Sequence, residues 1–174
     1  MGVQTDLGYR VDPANVLQRG TQRFASTRGG AWLFAKTGHR LDKWVLRATK
    51  GRSTLAGLLA GIPVVMVTTT GRRSGAARTM PLLGVPIGDD LALLGTNFGQ
   101  AAMPAWYLNF TADSRGEVAY GDRRIAVTAR EAGPDEREAV LRTAASIYPG
   151  YDRYRERITG RTIPVLVLEP ITGR

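Results

Sequence analysis

Hydrophobic positions along the chain follow two different periods, and the change falls near residue 62. In the segment RLDKWVLRATK, residues 40–50, apolar side chains recur every three or four positions, which predicts an amphipathic helix. Beyond residue 61, apolar and polar residues alternate in short runs that end near glycine or aspartate, which predicts strands and tight turns. The pattern therefore divides the chain into residues 1–60, an N-terminal basic arm with an amphipathic helix, and residues 61–174, a mainly β domain.

The C-terminal part is predicted to form six strands and three helices. Strands are expected over residues 62–70, 79–87, 91–96, 117–120, 123–130 and 163–168, with helices over 104–112 and 134–148 and a short one through Tyr151 and Tyr154. Successive hairpins with few inserted helices favour an antiparallel barrel over a doubly wound parallel sheet. No Gly-x-Gly-x-x-Gly run leads from a strand into a long helix, so a Rossmann nucleotide site is not expected.

The N-terminal part is less regular. Residues 1–30 are polar and weakly patterned, and we expect a loose arm with one short helix after Pro13. In the helix over residues 40–50, basic side chains lie opposite an apolar face formed by Leu41, Trp44, Val45 and Ala48. This face has two interpretations: it packs against the barrel, or it lies in a membrane interface with Trp44 as the anchor.

Charge is concentrated in the same N-terminal part. The net charge is +9, and residues 1–60 hold ten lysines and arginines against three aspartates. Such an excess favours an anionic partner, which could be membrane headgroups, an acidic ligand tail or nucleic acid. No nucleic-acid-binding motif is present, and the excess lies outside the patterned β domain, so nucleic acid is not expected as a partner.

Composition narrows the chemistry further. The chain has 174 residues, 43% of them hydrophobic, which suits a globular domain, and it has no cysteine. The lack of cysteine excludes disulfides and a thiolate nucleophile, and His39 as the single histidine disfavours a catalytic triad and a metal site. No apolar run reaches the roughly 18 residues of a membrane span, and the first residues lack the apolar region of a signal peptide. We therefore expect a cytoplasmic protein, peripheral to the inner face of the cell membrane if the 40–50 helix binds there.

The stretch TTTGRRSGAAR, residues 68–78, places three arginines around a tight turn. Two glycines permit an unusual backbone path, and arginine with hydroxyl donors suits charge-assisted bonds to a phosphate. The alternative is an ordinary solvated turn with surface arginines. The sequence alone leaves both open.

Two further segments carry candidate site residues. In GTNFGQAAMPAWYLN, residues 95–109, Thr96 and Asn97 follow a predicted strand, and Trp106 either packs in the core or offers a flat surface to a ring system. Tyr148, Tyr151 and Tyr154 are spaced by three, so the last two share a helix face. These tyrosines either pack with their hydroxyls in water or stack on a substrate and donate a proton.

Three separate segments resemble one enzyme family. The segments TTTGRRSGAARTMPLL, PAWYLNFTAD and YPGYDRYRERITGRTIPVLVLEP are similar, in this order, to the deazaflavin-dependent nitroreductase family, split β-barrel oxidoreductases that bind coenzyme F420. The resemblance implies a six-stranded antiparallel split β-barrel with flanking helices. It also implies an F420H2-dependent reductase that transfers a hydride to a small electron-poor acceptor: a quinone, a nitroaromatic or an activated enone.

The resemblance assigns roles to particular residues. The coenzyme's phosphate and acidic tail would lie on the Gly-Arg turn, and its ring would lie against the second strand and the end of the third. The implied cofactor-binding residues are Arg73, Ser74, Arg78, Thr79, Met80, Pro81, Gly95, Thr96, Asn97, Ala105 and Trp106. Phe98, Tyr148, Tyr151 and Tyr154 would line the substrate side. Tyr151, Tyr154 or solvent would supply the proton, and the Thr96 hydroxyl would stabilise negative charge.

The chain departs from the family pattern at three positions. Arg73 stands where lysine is usual, Thr96 where serine is usual, and Phe98 where glycine is usual. Two alternatives remain: the same barrel with FMN or another flavin or tetrapyrrole, or a non-enzymatic protein that binds through its basic arm. The expected assembly is a monomer or a homodimer.

Overall fold

The computed structural model describes residues 2–11, 15, 18, 21 and 61–171. The predicted helix over residues 40–50 lies outside these residues. Asn15 and Gln18 exchange backbone-to-side-chain hydrogen bonds of 2.9 and 2.8 Å, an arrangement typical of a helix start, and Gln18 and Thr21 are helical. This agrees with the short helix expected after Pro13.

The elements alternate as the hairpin pattern predicts. The strands are β1 (Val64–Thr70), β2 (Ala77–Leu83), β3 (Val85–Ile87), β4 (Asp90–Leu94), β5 (Arg115–Tyr120), β6 (Arg123–Glu131) and β7 (Val165–Pro170). Among the described residues, the helices with defined bounds are α1 (Val3–Leu7), α2 (Ala105–Ala112), α3 (Pro134–Ile147) and α4 (Gly150–Arg157), and a 3-10 turn lies at Asn97–Gly99. In the described part, no helix combines the length and hydropathy needed to cross a bilayer.

The strands form one antiparallel sheet in the order β2-β1-β5-β6-β7-β4-β3. Its two outer strands, β2 and β3, are consecutive in the chain and are separated by Gly84 alone. Because the chain passes directly from one edge of the sheet to the other, the sheet must curl, and β2 contacts β4 across it. The predicted antiparallel split barrel with flanking helices is confirmed.

The strand count differs from the prediction, with seven strands instead of six. The run over residues 79–87, predicted as one strand, bends at Gly84 and pairs with β1 before the bend and with β4 after it. Gly84 is buried, and a Cβ there would lie 3.2 Å from the Tyr9 ring and 3.4 Å from Leu91. The Tyr9 hydroxyl lies 2.9 Å from the Pro63 carbonyl oxygen and 2.5 Å from that of Gly84. Tyr9 therefore stabilises the bend.

The first residues of the chain belong to the barrel core. Val3 and Leu7 are one helical turn apart on the same face of α1, and both are buried with Tyr9. The Val3 amide donates to Asp90 Oδ1 at 2.9 Å and the Gln4 amide to the Asp89 carbonyl at 2.8 Å. The expectation of a loose arm is thus wrong for residues 2–11. The division of the chain at residue 60 stays a prediction.

Two apolar clusters lie on opposite faces of β4. Leu91 and Leu93 face the barrel interior, which also contains Val65, Val67, Val118, Val127 and Leu168. Ala92 and Leu94 face the other way, against Val140 and Ala144 of α3. A strand buried on both faces reads as a continuous apolar run, which is how residues 91–94 appear in the sequence.

A polar network stabilises the start of α3. The Arg130 guanidinium donates to both carboxylate oxygens of Glu136 at 2.7 and 2.8 Å and to Glu169 at 2.6 Å. The Glu136 carboxylate also accepts from the Gly133 amide at 2.9 Å. Mainly through Arg130, and then through Gly133, these bonds lower the pKa of Glu136 to about 2. The network fixes α3 over the open side of the sheet.

Candidate functional site

The turn between β1 and β2, residues 71–76, is closed by its own backbone. The Gly71 amide donates to the Ala76 carbonyl at 2.8 Å, and the amides of Ser74 and Gly75 donate to the Gly71 carbonyl at 3.1 and 2.7 Å. Gly75 has a φ of 66°, a left-handed conformation that favours glycine. A side chain on the buried Gly71 would meet Ser74 Oγ at 2.8 Å. Both glycines of the motif are therefore required by the path of the turn.

Three guanidinium groups surround this turn without compensating carboxylates. Arg72, Arg73 and Arg78 are exposed, and within the described residues none of them forms an ion pair. Arg78 Nη2 donates to Ser74 Oγ at 3.4 Å. We name residues 71–76 together with Arg78 the cationic turn. Uncompensated arginines beside a hydroxyl suit an anionic ligand better than they suit stability.

The side chain of Asn109 in α2 hydrogen-bonds to the base of the cationic turn. Its Nδ2 donates to Thr69 Oγ1 at 2.9 Å, and its Oδ1 accepts from the Arg72 amide at 3.1 Å. Asn109 is only 7% exposed and Thr69 only 3%. One buried amide side chain thus bonds to both sides of Gly71, which fixes where the turn leaves the strand.

The predicted ring contacts in β2 are divided between the two faces of the strand. Thr79 lies opposite Thr68, with their hydroxyl oxygens 2.8 Å apart, and Pro81 lies opposite Met66 on the same face. Met80 lies opposite Val67 and packs on the barrel core. A flat ring cannot meet all three side chains from one side. Within the described residues, β2 has no strand partner along its other edge.

The loop after β4 begins with Gly95, Thr96 and Asn97. Gly95 packs so closely on Pro164 that a Cβ would lie 2.5 Å from Pro164 Cγ. Thr96 is buried, and its carbonyl accepts from the Gly99 amide at 2.9 Å. Asn97 has a φ of 45°, and its side-chain Nδ2 donates to the Ala102 carbonyl at 3.0 Å. The loop is therefore closely packed at Gly95 and has a left-handed backbone conformation at Asn97.

Arg161 lies against this loop. Its Nη1 donates to the Gly95 carbonyl at 3.0 Å, and its Nη2 donates to the carbonyls of Gln100 at 2.9 Å and Thr96 at 3.4 Å. A single guanidinium therefore joins the end of β4 to the far side of the loop.

The three tyrosines form one cluster beside the same loop. The ring centroids of Tyr148, Tyr151 and Tyr154 are 5.7 to 6.1 Å apart, and the hydroxyls of Tyr148 and Tyr154 lie 3.4 Å apart. A Cβ on Gly99 would lie 3.6 Å from the Tyr154 ring, so the 3-10 turn packs directly on α4. Burial is the main cause that raises the pKa of each tyrosine. At neutral pH all three hydroxyls are protonated and can donate.

The remaining predicted residues have separate positions. Trp106 is buried in the barrel core, the simpler of its two interpretations, whereas its neighbour Ala105 is exposed. The side chain of Phe98 lies outside what the structure describes. Among the described residues no three potential metal ligands come together.

Successive contacts connect the parts of the site that the sequence predicted. β2, which follows the cationic turn, contacts β4, whose end leads into the Gly95–Asn97 loop, and that loop packs on α4. The structure thus joins one strand of the cationic turn to the tyrosine cluster through consecutive contacts. The residue roles themselves stay predictions.

A family model described as F420H(2)-dependent quinone reductase matches residues 38–170. The chain belongs to this family. The expected split-barrel deazaflavin oxidoreductase with coenzyme F420 as its cofactor is thereby confirmed. The matching description names quinones and does not name nitro compounds.

Relatives and solved structures agree with the family. An F420H(2)-dependent quinone reductase of Mycobacterium tuberculosis is 29% identical over 136 residues, which cover 74% of this chain and 87% of the relative. A solved F420-H2 dependent reductase, FDR-A, is 37% identical with a TM-score of 0.57, covering 62% of this chain and 94% of its own. A second structure, described as a domain-swapped dimer, is 31% identical with a TM-score of 0.58, covering 81% of this chain and 99% of its own.

The cationic turn has the donor set that F420 requires. The coenzyme carries a phosphate and an acidic tail, and the turn offers three exposed guanidinium groups and a serine hydroxyl that no described carboxylate neutralises. The residues present therefore fit this coenzyme.

Sequence reasoning missed two residues of the site, Asn109 and Arg161. Both act by bonding to backbone atoms or hydroxyls far away in the chain, 40 residues for Asn109 and Thr69 and 66 for Arg161 and Gly95. The available signal was the residue type: a polar amide in an otherwise apolar short helix, and an arginine next to a turn glycine.

Replacing Asn109 by alanine should loosen the cationic turn. The change leaves the buried Thr69 hydroxyl and the Arg72 amide without partners, so the free energy of unfolding should fall by roughly 1–3 kcal/mol. Hydrogen exchange at the Arg72 amide should accelerate more than exchange in the middle of β1. Thr111→Ala, on the exposed side of the same helix, is the matched control. Unchanged exchange at Arg72 in Asn109→Ala would contradict this role.

Proposed function

We propose that this family member reduces quinones with F420H2, and that the cationic turn holds the acidic part of the coenzyme. The observation that carries the proposal is the set of three exposed arginines, which no described carboxylate neutralises, on a turn whose base is fixed by a buried asparagine. A surface without function would not keep these charges together on a rigid backbone. Arg73 and Arg78, with Ser74, are the proposed contacts to phosphate.

The ring of the coenzyme is proposed to lie between the free edge of β2 and the Gly95–Asn97 loop. When bound, F420H2 supplies a hydride. The chain's own contribution is to place the acceptor beside the ring and to exclude water from it. The buried Thr96 hydroxyl and nearby backbone N–H groups would stabilise the negative charge that develops during reduction. Ala105, which is exposed at the start of α2, is a further proposed contact.

The tyrosine cluster is proposed as the acceptor side of the site. Quinones are flat and apolar, and the half-buried Tyr151 ring, backed by the buried rings of Tyr148 and Tyr154 at centroid distances of 5.7 and 6.1 Å, offers a matching face. Tyrosine hydroxyls are protonated at neutral pH, so Tyr151 or Tyr154 can deliver a proton to the reduced oxygen, although burial raises the pKa of each and makes it a weaker acid. We propose quinones as acceptors, in preference to nitroaromatics and enones, because the matching family is one of quinone reductases.

Removing Arg73 or Arg78 should weaken coenzyme binding. Each alanine variant should lower F420 affinity roughly three- to tenfold, since one charge-assisted contact of an exposed group is lost. Raising the salt concentration should reduce the affinity of the wild type more than that of the variants. Fluorescence titration with F420 measures both effects. Arg124→Ala, an exposed arginine at the opposite β5–β6 hairpin, serves as the control, and equal affinities in all proteins would refute the placement.

Removing the hydroxyl of Tyr154 should slow turnover and leave coenzyme binding intact. Phenylalanine keeps the buried ring but cannot donate, so kcat with a soluble quinone should fall at least roughly tenfold while F420 affinity is retained. Tyr151→Phe should give a similar loss if both hydroxyls share the role. Tyr120→Phe, which lies against Tyr9 and outside the cluster, is the control. Wild-type kcat in both cluster variants would mean that solvent supplies the proton.

We further propose that the basic helix over residues 40–50 binds anionic membranes, where lipid-soluble quinones are found. The support is its pattern alone: Trp44 on the apolar face and four basic residues opposite. The structure alters the appropriate test, because deleting residues 1–60 would also remove Val3, Leu7 and Tyr9 from the barrel core.

Reversing two charges in this helix should reduce membrane binding. In Lys43→Glu/Arg47→Glu, sedimentation with phosphatidylglycerol vesicles should decrease strongly, since each basic residue near an anionic surface contributes about 1 kcal/mol. Phosphatidylcholine vesicles should bind neither protein well. The control is Arg124→Glu/Arg142→Glu, an equal charge change on exposed arginines elsewhere. Equal losses in the two double variants, or no binding by the wild type, would exclude this helix as the membrane contact.

A further inference from the structure

We infer that Arg161 is a positioning residue for hydride transfer: it holds the loop after β4 in the shape that presents Gly95 and Thr96 to the coenzyme ring. The inference rests on the proposed function, because it assumes that the ring lies at this loop. It predicts that Arg161 affects the rate of hydride transfer and not the affinity for the coenzyme's acidic tail.

The contacts of Arg161 converge on the loop from one side. Beyond its bonds to the carbonyls of Gly95, Thr96 and Gln100, its Nη1 lies 3.3 Å from the Thr162 carbonyl oxygen and 3.8 Å from Met103 Sδ. The group therefore connects the end of β4, the residues after the 3-10 turn and the segment that leads into β7. The Gly95 amide already donates to the Pro164 carbonyl at 2.9 Å, so the guanidinium adds the residues after the 3-10 turn to an existing contact between the end of β4 and the segment before β7.

The charge of Arg161 is costly where it lies. Within the described residues no carboxylate pairs with it, and its Nε is buried without a hydrogen-bond acceptor. A partly buried cation loses favourable hydration. Hydrogen bonds to neutral carbonyls provide no opposing charge to compensate for that loss. Stability alone does not explain such a group. A fixed positive charge beside the proposed reaction site does, because the acceptor gains negative charge as it takes the hydride.

The loop itself needs an external support. Gly99 has a φ of 81° and Asn97 one of 45°, so two residues of a short turn occupy the left-handed region. Gly95 is fixed by its amide bond to the Pro164 carbonyl at 2.9 Å and by close packing on the Pro164 ring, so the support from Arg161 matters for the part of the loop beyond it. The carbonyls of this turn point away from strand pairing and toward Arg161. Without the guanidinium the Gln100 carbonyl would lose this partner and the far side of the loop would loosen, while the Thr96 carbonyl would keep its bond from the Gly99 amide.

The planar fork of arginine is essential to this arrangement. Arginine presents donors from two terminal nitrogens, and Arg161 uses one for Gly95 and the other for Gln100. A lysine ammonium places its donors at one point and cannot span both carbonyls in the same way. Arg161→Lys therefore keeps the charge and removes the geometry, which separates the two contributions.

The test compares Arg161→Lys and Arg161→Gln with the wild type and with Arg155→Lys, an exposed arginine of α4. Three quantities are measured on the full chain: the melting temperature, F420 affinity, and the single-turnover rate with saturating F420H2 and a soluble quinone, expressed per folded molecule. We expect Arg161→Lys to bind F420 within about threefold of the wild type and to transfer hydride roughly a hundredfold more slowly, because small misplacements have effects of this size. Arg161→Gln should be slower still.

The outcomes separate this inference from the proposed function. A purely structural role would lower the melting temperature and leave the rate per folded molecule unchanged in both Arg161 variants, and that result would overturn the inference. Faster hydrogen exchange at the amides of Gly99 and Gln100 in Arg161→Lys, together with the slower rate, would support it. A wild type that binds F420 but reduces no quinone would instead contradict the proposed function and leave the loop assignment to be judged by exchange at these two amides.

Discussion

The bend at Gly84 is the constraint on which the rest of the structure depends. It sends the chain from one edge of the sheet to the other within one residue, so β2 and β4 become neighbours although the sheet order places four strands between them. The cationic turn precedes β2, and the Thr96 loop follows β4. A straight strand over residues 79–87 would leave these two parts at opposite edges of an open sheet. The bend in turn requires Tyr9, whose ring fills the space that a side chain at Gly84 would occupy.

Two polar side chains, the buried Asn109 and the half-buried Arg161, then fix the loops that the bend brings together. Asn109 bonds to both sides of Gly71, and Arg161 bonds to both ends of the loop after β4. Each uses a rigid planar group to bond to main-chain or hydroxyl partners, so neither loop depends on its own weak local preferences. The strands and helices of the barrel are rigid. The two side chains bond loop backbone to them, and this backbone would otherwise be free to move.

The sequence predicted what has a local signal. Alternation located the strands, the Gly-Arg turn was evident from its residue types, and the spacing of Tyr148, Tyr151 and Tyr154 brought the three tyrosines together. It could not predict the bend at Gly84, because an apolar run pairs equally well with one neighbour or with two. The burial of residues 2–11 depends on partners more than 80 residues away, such as Asp90 for Val3, and leaves no periodic trace. The contacts of Asn109 and Arg161 are of the same kind: the residue type is visible, but its partner is set by the fold.

The distribution of paired and unpaired arginines explains why an acidic coenzyme suits this barrel. Away from the site, Arg115, Arg124 and Arg130 each pair with a carboxylate, whereas others, such as Arg142, have no ion pair to a described carboxylate. At the site, Arg72, Arg73, Arg78 and Arg161 have no such partner among the described residues. Only charges without a local partner create a field that extends to a ligand, and here they lie at both ends of the contact between β2 and β4. A long anionic molecule with its phosphate at one end and its reducible ring at the other meets positive charge at both, whereas a ligand with a single short anionic group would use only one.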